Sequence, residues 1–203
     1  MKLKRVLLLV LVCLCLTSLL SFGQSKVLII VREASEDMNY AISQEVNPMI
    51  KMLTDAGYQA EVATETGTAI GTGTSVLQPN TKLSEVDVDQ YVGLIIPCAV
   101  NAEPFSAPNF SMEISKKMYA KGLPIAAQQS GVEVFAKAGL LDGKNYASAE
   151  VYVPKGNKVY KGVVQDGQIL TSTNCPYYAK MTGAKDDTAE LMTRFVEMLR
   201  SSK

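Results

Sequence analysis

The sequence predicts an α/β fold, with a mostly parallel central sheet that helices cover on both faces. Continuous apolar runs rich in β-branched residues, such as Lys26–Val31 and Tyr91–Ile96, are typical of strands buried on both sides of a parallel sheet. Segments with helical spacing of apolar residues alternate with these runs, and this alternation favours parallel pairing. With 203 residues and 47% hydrophobic content, the chain is large enough for one domain with a substantial core.

The N-terminal residues 1–23 are predicted to be an export signal, and residues 24–203 a single domain. Three basic residues among the first five precede an apolar run from Val6 to Leu20, and Ser21-Phe22-Gly23 offers a cleavage site before Gln24. The run of about 15 residues is short for a membrane-spanning helix, which needs about 20. An uncleaved anchor is the alternative. We expect export to a periplasm or to the cell exterior, and no membrane contact after cleavage.

The first half of the domain predicts two strands separated by a helix. Apolar residues recur every three or four positions between Tyr40 and Ala56, which indicates a helix that Gly57 ends. The predicted elements in order are a strand at Lys26–Val31, a polar turn at Glu33–Asn39, the helix, a strand at Gln59–Thr64 and a mobile loop or hairpin at Thr64–Asn80.

The second half continues the alternation and then changes to hairpins. Its predicted elements are a strand at Tyr91–Ile96, a helix at Phe110–Lys121, a strand at Leu123–Ala127, a sharp junction at Gln128–Gly131 and a helix at Val132–Ala138. Tyr146–Val153 and Lys158–Val164 alternate like paired strands, Asp166-Gly167 predicts a tight turn before a strand at Gln168–Thr173, and Asp186–Arg200 predicts a final amphipathic helix.

The carboxyl ends of parallel strands meet at one edge of a sheet, where ligands bind in such folds. Four segments of this chain are expected to converge there: Arg32–Asn39, Pro97–Asn101, Gln128–Gly131 and Thr173–Tyr177. The sequence therefore predicts a site at this edge.

Composition excludes several classes of function. The chain has no histidine, which excludes a Ser-His-Asp triad, a Cys-His pair and an HExxH zinc helix. Its 20 basic and 20 acidic residues give no basic surface for nucleic acid. Cys98 and Cys175 are the only cysteines left after cleavage, and no CxxC motif exists. Without a histidine to complete a ligand set, we expect no metal and no cofactor.

Several motifs resemble the ThiJ/PfpI family, the superfamily of the Parkinson-associated protein deglycase, which is related to class I glutamine amidotransferases. They are KVLIIV followed by SEDM, YVGLIIP, LPIAAQQSGVEVFAKAGLLDGK, and VVQDGQILTS before a terminal helix. Together they cover nearly all of the mature chain. The resemblance implies a flavodoxin-like three-layer sandwich and a homodimer.

The residues that carry the family's chemistry are replaced here. Relatives usually read A-A-I-C-H-G where a strand turns sharply into a helix, and the cysteine is the nucleophile. In this chain Gln129 takes the place of that cysteine and Ser130 that of the histidine. The usual Pro-Gly-Gly, which helps to form an oxyanion hole, reads Pro97-Cys98-Ala99. We therefore expect no deglycase, glyoxalase or cysteine peptidase activity.

The remaining groups at the predicted edge are mostly neutral donors and acceptors, which suit a small polar ligand or a protein partner. A polar surface around an empty groove is the alternative. The resemblance places the family's acid in the first loop, where Glu36 and Asp37 keep the acidic character and Asn39 takes the usual acid position. The candidate pocket residues are Glu36, Asp37, Asn39, Cys98, Ala99, Asn101, Gln128, Gly131, Asn174 and Cys175.

Cys98 and Cys175 have three open interpretations. In the resembled fold, their strands flank the strand before Gln129 on opposite sides. The cysteines could form a disulfide, be inert buried thiols, or include a relocated catalytic thiol. A disulfide requires the loops to bend inward, since two strand spacings are about 9–10 Å. The catalytic interpretation gives the alternative function, a hydrolase or a thiol-dependent stress-response enzyme. Ser130 is a weaker nucleophile candidate, with Lys121 or Lys137 as its base.

Overall fold

A computed structural model describes residues 24–33, 37–98 and 109–202. The strands are β1 (Lys26–Ile30), β2 (Gln59–Thr64), β3 (Thr81–Lys82), β4 (Tyr91–Ile96), β5 (Ile125–Gln128), β6 (Asn145–Ala147), β7 (Asn157–Val159), β8 (Val163–Asp166) and β9 (Ile169–Ser172). The α-helices are α1 (Met38–Ala41), α2 (Asn47–Asp55), α3 (Phe110–Ala120), α4 (Val132–Lys137), α5 (Pro176–Thr182) and α6 (Thr188–Ser201). A π-helical segment, Ile42–Val46, joins α1 to α2, and single 3-10 turns occupy Leu83–Glu85, Val88–Gln90 and Gln129–Gly131.

Seven strands form the central sheet in the order β3-β2-β1-β4-β5-β9-β8. All neighbouring pairs are parallel except β8 and β9, which form an antiparallel hairpin at one edge. The central strands β1, β4 and β5 consist almost entirely of aliphatic residues because both of their faces are covered. The predicted α/β fold with a mostly parallel sheet is confirmed.

Two apolar cores lie on the two faces of the sheet. Alternate residues of β1 belong to different cores: Val27 and Ile29 pack in the first, and Leu28 and Ile30 in the second. The first core is completed by the π-helical segment, α2 and α6, and the second by α3 and α4. The molecule therefore has the three layers of the flavodoxin-like sandwich.

The region between α4 and β8 differs from the prediction. Tyr146–Val153 and Lys158–Val164 were expected to pair as a hairpin, which is wrong. The observed strands β6 and β7 have three residues each and pair in parallel, in a separate two-stranded sheet. Tyr146 is fully buried in the second core, and its hydroxyl accepts the Val153 N–H at 2.9 Å. The alternation of apolar residues here thus reflects packing of single side chains rather than strand pairing.

Within the described ranges, no helix has both the length and the apolar character needed to cross a membrane.

Candidate functional site

The site is built around the sharp turn between β5 and α4, which we call the elbow (Gln128–Gly131). Gln129 has φ of +47°, and it is the one described residue other than glycine in the left-handed region. There is no space for a side chain at Gly131, because a Cβ there would lie 2.5 Å from the Pro97 carbonyl oxygen. The elbow therefore packs directly against the residues that follow β4, among them Cys98.

Gln129 and Ser130 both contact the Cys98 thiol. The Cys98 Sγ donates to Gln129 Oε1 over 3.2 Å, and it lies 3.3 Å from Ser130 Oγ. Gln129 is only 4% exposed. Its amide can accept a hydrogen bond but cannot act as a thiolate nucleophile. The assignment of Gln129 to the family's nucleophile position stays a prediction from the resemblance.

The acid at the elbow is Glu45, which the sequence analysis missed. It lies in the π-helical segment, is 2% exposed, and accepts the Cys98 backbone N–H at 2.8 Å. Burial raises the pKa of Glu45 well above its usual range, and the nearby Cys175 raises it further. The sequence does contain one indication that Glu45 is buried. At helical spacing it lies on the same face as the apolar residues Ile42 and Met49.

The predicted first-loop residues have other partners. Asp37 caps α1, because its carboxylate accepts the Tyr40 N–H at 3.2 Å. Asn39 is exposed and contacts Thr72 of the following loop through two hydrogen bonds of 2.7 and 2.8 Å. Both line a shallow cavity of about 350 Å³ beside that loop. Among the described residues, the carboxylate that contacts Cys98 therefore belongs to Glu45 and not to Asp37.

Cys175 completes the cluster from the other side of β5. It is the N-cap of α5, fully buried, and its Sγ accepts the Tyr178 N–H at 3.4 Å. The Sγ atoms of Cys98 and Cys175 and a Glu45 carboxylate oxygen all lie within 4.8 Å of one another. The loops after β4 and β9 therefore bend inward, as a disulfide would require, but both cysteines are free thiols in this structure. The disulfide stays a prediction.

The two thiols differ in acidity. The hydrogen bond between Cys98 and Cys175 lowers the pKa of Cys175, and backbone N–H groups at the start of α5 lower it further. The same hydrogen bond raises the pKa of Cys98, and burial and Glu45 raise it further. The pKa of Cys175 is therefore lowered and that of Cys98 raised, so Cys175 is the more acidic thiol.

Gln128 and Asn174 act as structural links. The Gln128 side chain is fully buried and donates to the Asn174 carbonyl oxygen at 2.8 Å and to Thr188 Oγ1 at 3.0 Å. Asn174 is also held by Asp187, whose carboxylate accepts the Asn174 N–H at 2.9 Å. These contacts join β5 to the start of α6 and to the loop after β9. The predicted pocket residues Glu36, Ala99 and Asn101 lie outside the described residues.

A cavity of about 490 Å³ adjoins the elbow at Ser130. Charged side chains line it together with Tyr152 and Val153, and the charged residues are Glu133, Lys137, Asp142 and Glu150. Lys137 pairs with Glu133 at 2.8 Å, and Lys121 pairs with Asp89. The two lysines considered as bases for Ser130 are therefore engaged with carboxylates.

Known proteins share this architecture. A ThiJ/PfpI domain protein from Brachyspira murdochii matches with a TM-score of 0.66 and 19% identity, over 88% of this chain and 99% of that one. DJ-1beta from Drosophila melanogaster matches with a TM-score of 0.62 and 21% identity, over 87% and 98% of the two chains. DJ-1 from Schizosaccharomyces pombe matches with a TM-score of 0.61 and 15% identity, over 87% and 97%. These likenesses show the fold.

Among curated proteins, no sequence matches significantly. The family model described as the DJ-1/PfpI family matches residues 25–184, which is most of the domain. The motifs that resemble this family therefore lie on the fold that its members share. The chain belongs to the DJ-1/PfpI family.

Proposed function

We propose that this protein binds a small polar ligand and does not perform the cysteine chemistry of its family. The observation that carries the proposal is the buried amide of Gln129, whose oxygen accepts a hydrogen bond from the Cys98 thiol. The family resemblance assigns this residue to the nucleophile position, where an amide cannot perform the reaction. No described residue supplies a histidine, because the chain has none. Such a site can hold a ligand by hydrogen bonds, but Gln129 cannot act as a nucleophile and no histidine is present to act as a base.

The cavity at Ser130 supports the binding role. Its volume of about 490 Å³ falls within the range of small-molecule sites, which is about 300–1,000 Å³. Three carboxylates and one lysine line it, so a polar molecule with a cationic end is the ligand that these charges favour. Tyr152 and Val153 add apolar surface for the body of such a ligand.

A binding experiment tests this role directly. Small amines, amino acids and monosaccharides are titrated into the protein, and two-dimensional amide NMR locates any response. We expect shifts around Ser130 and Glu133 for a cationic member of the panel. Ala136→Trp, which fills the cavity, should abolish them, whereas Ala120→Trp at an exposed position should not. Binding that survives Ala136→Trp would place the ligand elsewhere.

The thiol pair favours a second candidate, a thiol-dependent enzyme. The backbone N–H groups of Tyr177 and Tyr178 lower the pKa of Cys175 and so favour its thiolate, which is the reactive form of cysteine. Consumption of methylglyoxal and hydrolysis of peptide amides separate the two candidates. The binding proposal expects neither activity. Turnover that is lost in Cys175→Ser but kept in Gln129→Ala would favour the enzyme.

Export and homodimer formation are part of the proposal. Export is supported by the basic and apolar pattern of residues 1–23, and the dimer by family resemblance. Mass spectrometry of the protein from its producing cells should give a chain that begins at Gln24. Light scattering should give twice the mass of that chain, and a single-chain mass would contradict the dimer.

A further inference from the structure

We propose that Glu45, Cys98 and Cys175 bind one zinc ion at the buried base of the elbow. This goes beyond the proposed function, because the ion would lie inside the elbow, whereas the ligand cavity lies beyond Ser130. It also departs from the expectation, drawn from the missing histidine, that the chain holds no metal. Two thiolates and a carboxylate are all established zinc ligands, and histidine is not required among them.

The geometry of the three groups fits a small ion. Their ligand atoms lie within 4.8 Å of one another, and all three residues are buried. In a tetrahedral zinc site with Zn–S bonds of about 2.3 Å, two sulfurs are separated by about 3.8 Å. The widest separation therefore exceeds the ideal by about 1 Å at most, which side-chain rotation can close.

Two of the three ligand side chains accept a hydrogen bond from a backbone N–H. The Cys98 N–H binds Glu45 Oε1, which leaves the other carboxylate oxygen for the ion. The Tyr178 N–H binds Cys175 Sγ and so orients the thiolate. Such contacts to the ligands tune and orient metal sites in proteins. The three ligands come from three elements, so the folded chain assembles the site before any ion arrives.

The charges of the cluster also suit a cation. Glu45, Cys98 and Cys175 are all buried, and as one carboxylate and two thiolates they would carry three negative charges. Burying such charges is costly unless a cation offsets them. A divalent ion that binds with loss of the two thiol protons would offset two of the three.

The ligand set selects the metal. Sulfur ligands favour zinc and copper(I) over magnesium and calcium, which prefer oxygen. Zinc accommodates the added carboxylate and the tetrahedral arrangement without redox chemistry. Gln129 Oε1 lies 3.2 Å from Cys98 Sγ, which makes it a candidate for the fourth ligand. This amide oxygen or a water molecule would complete the shell.

Metal titration of the reduced protein tests the site. The full chain is expressed, reduced anaerobically, stripped with a chelator, and titrated with Co²⁺ as a spectroscopic probe and with Zn²⁺ against a chromogenic chelator. We expect one ion per chain, a thiolate-to-cobalt charge-transfer band, and the visible bands of a tetrahedral ion. Zn²⁺ should protect Cys98 and Cys175 from alkylation, as read by peptide mass spectrometry.

Variants locate the site. Cys98→Ser, Cys175→Ser and Glu45→Gln should each weaken zinc binding by more than about tenfold. Glu113→Gln, at an exposed position, and the double variant Cys13→Ser/Cys15→Ser should bind as the parent does. Circular dichroism shows whether each variant is folded.

Three results would overturn the proposal. They are no zinc binding by the reduced parent chain, a cobalt complex without a thiolate band, and full alkylation of both thiols in the presence of zinc. The last result is obtained on the parent chain, so it does not depend on whether a variant folds.

Discussion

At the scale of single residues, Gln129 combines an unfavourable backbone conformation with a buried side-chain hydrogen bond. A side chain at φ of +47° costs about 1–2 kcal/mol relative to glycine, which adopts this region freely. The side-chain amide oxygen of Gln129 accepts a hydrogen bond from the Cys98 thiol. The surrounding packing therefore holds the backbone of Gln129 in the left-handed region, as the close approach of Gly131 to the Pro97 carbonyl shows.

A pair of variants measures this strain. Gln129→Ala and Gln129→Gly both remove the amide and differ only in the Cβ, so we expect the glycine variant to be more stable by about 1 kcal/mol. Chemical denaturation gives the free energy of unfolding of each. At Glu113, on the exposed side of α3, the order should reverse, because alanine favours a helix by about 1 kcal/mol over glycine. Equal stability of the two Gln129 variants would contradict the strain.

The sequence could predict the position of Gln129 and Ser130 at the elbow, but not the identity of the acid. Gln129 follows an apolar run and precedes a helix, and these local patterns locate the turn. Glu45 lies in the π-helical segment that follows α1, and its carboxylate there accepts the Cys98 N–H. A π-helical bulge has no clear sequence signature, so counting positions from the first loop led to Asn39.

At the scale of elements, the antiparallel hairpin of β8 and β9 is fixed to β6 by one carboxylate. Asp166, at the turn, accepts the Asn145 N–H and the Lys144 ammonium group, each at 2.9 Å. The backbone N–H of Asn145 lowers the pKa of Asp166 most, and Lys144 lowers it further. The two-stranded sheet is thus joined to the edge of the central sheet through a charged group.

This link predicts a pH dependence of stability. Because the pKa of Asp166 is lower in the folded chain than its ordinary value of 3.8, ionised Asp166 stabilises the fold above that value, and the effect is lost as pH falls through the folded pKa. Asp166→Asn should cost about 0.5 kcal/mol near pH 7 and nearly nothing near pH 2. Urea denaturation across this range measures the difference. Asp55→Asn, which removes an exposed pair with Lys51, is the control and should cost less at neutral pH. A cost independent of pH would contradict the link.

Some strands and helices could be predicted from the sequence, and others could not. The strands β2 and β4 have the predicted bounds. β4 is an almost continuous apolar run, and β2 lies between the helix-ending Gly57 and a loop rich in glycine and threonine. Helix α5 was not predicted, because it has seven residues and starts at a proline within a polar loop. Short elements of this kind depend on contacts from elsewhere, here the Cys175 cap and the edge-to-face packing of Tyr177 on Tyr40.

At the scale of the whole molecule, sheet topology explains why the site forms. The order β4-β5-β9 places the strand ends that carry Cys98 and Cys175 on either side of the elbow. The sequence and the family resemblance together predict this juxtaposition, because parallel strands end at one edge. The inward bend that brings the two thiols and Glu45 within 4.8 Å depends on the loops and on α5, and only the structure shows it.

Zinc binding should therefore stabilise the molecule as a whole, because its ligands are assembled only in the folded chain. A ligand that binds the folded state alone adds about 2.7 kcal/mol at a free concentration of 100 times its Kd, which corresponds to about 5–10 °C in Tm for a chain of this size. Thermal denaturation of the reduced protein with and without Zn²⁺ measures the shift. Mg²⁺ at the same concentration should give none, since it prefers oxygen ligands. Cys175→Ser should lose most of the zinc effect, and an undiminished shift in that variant would mean that zinc stabilises the fold from another position.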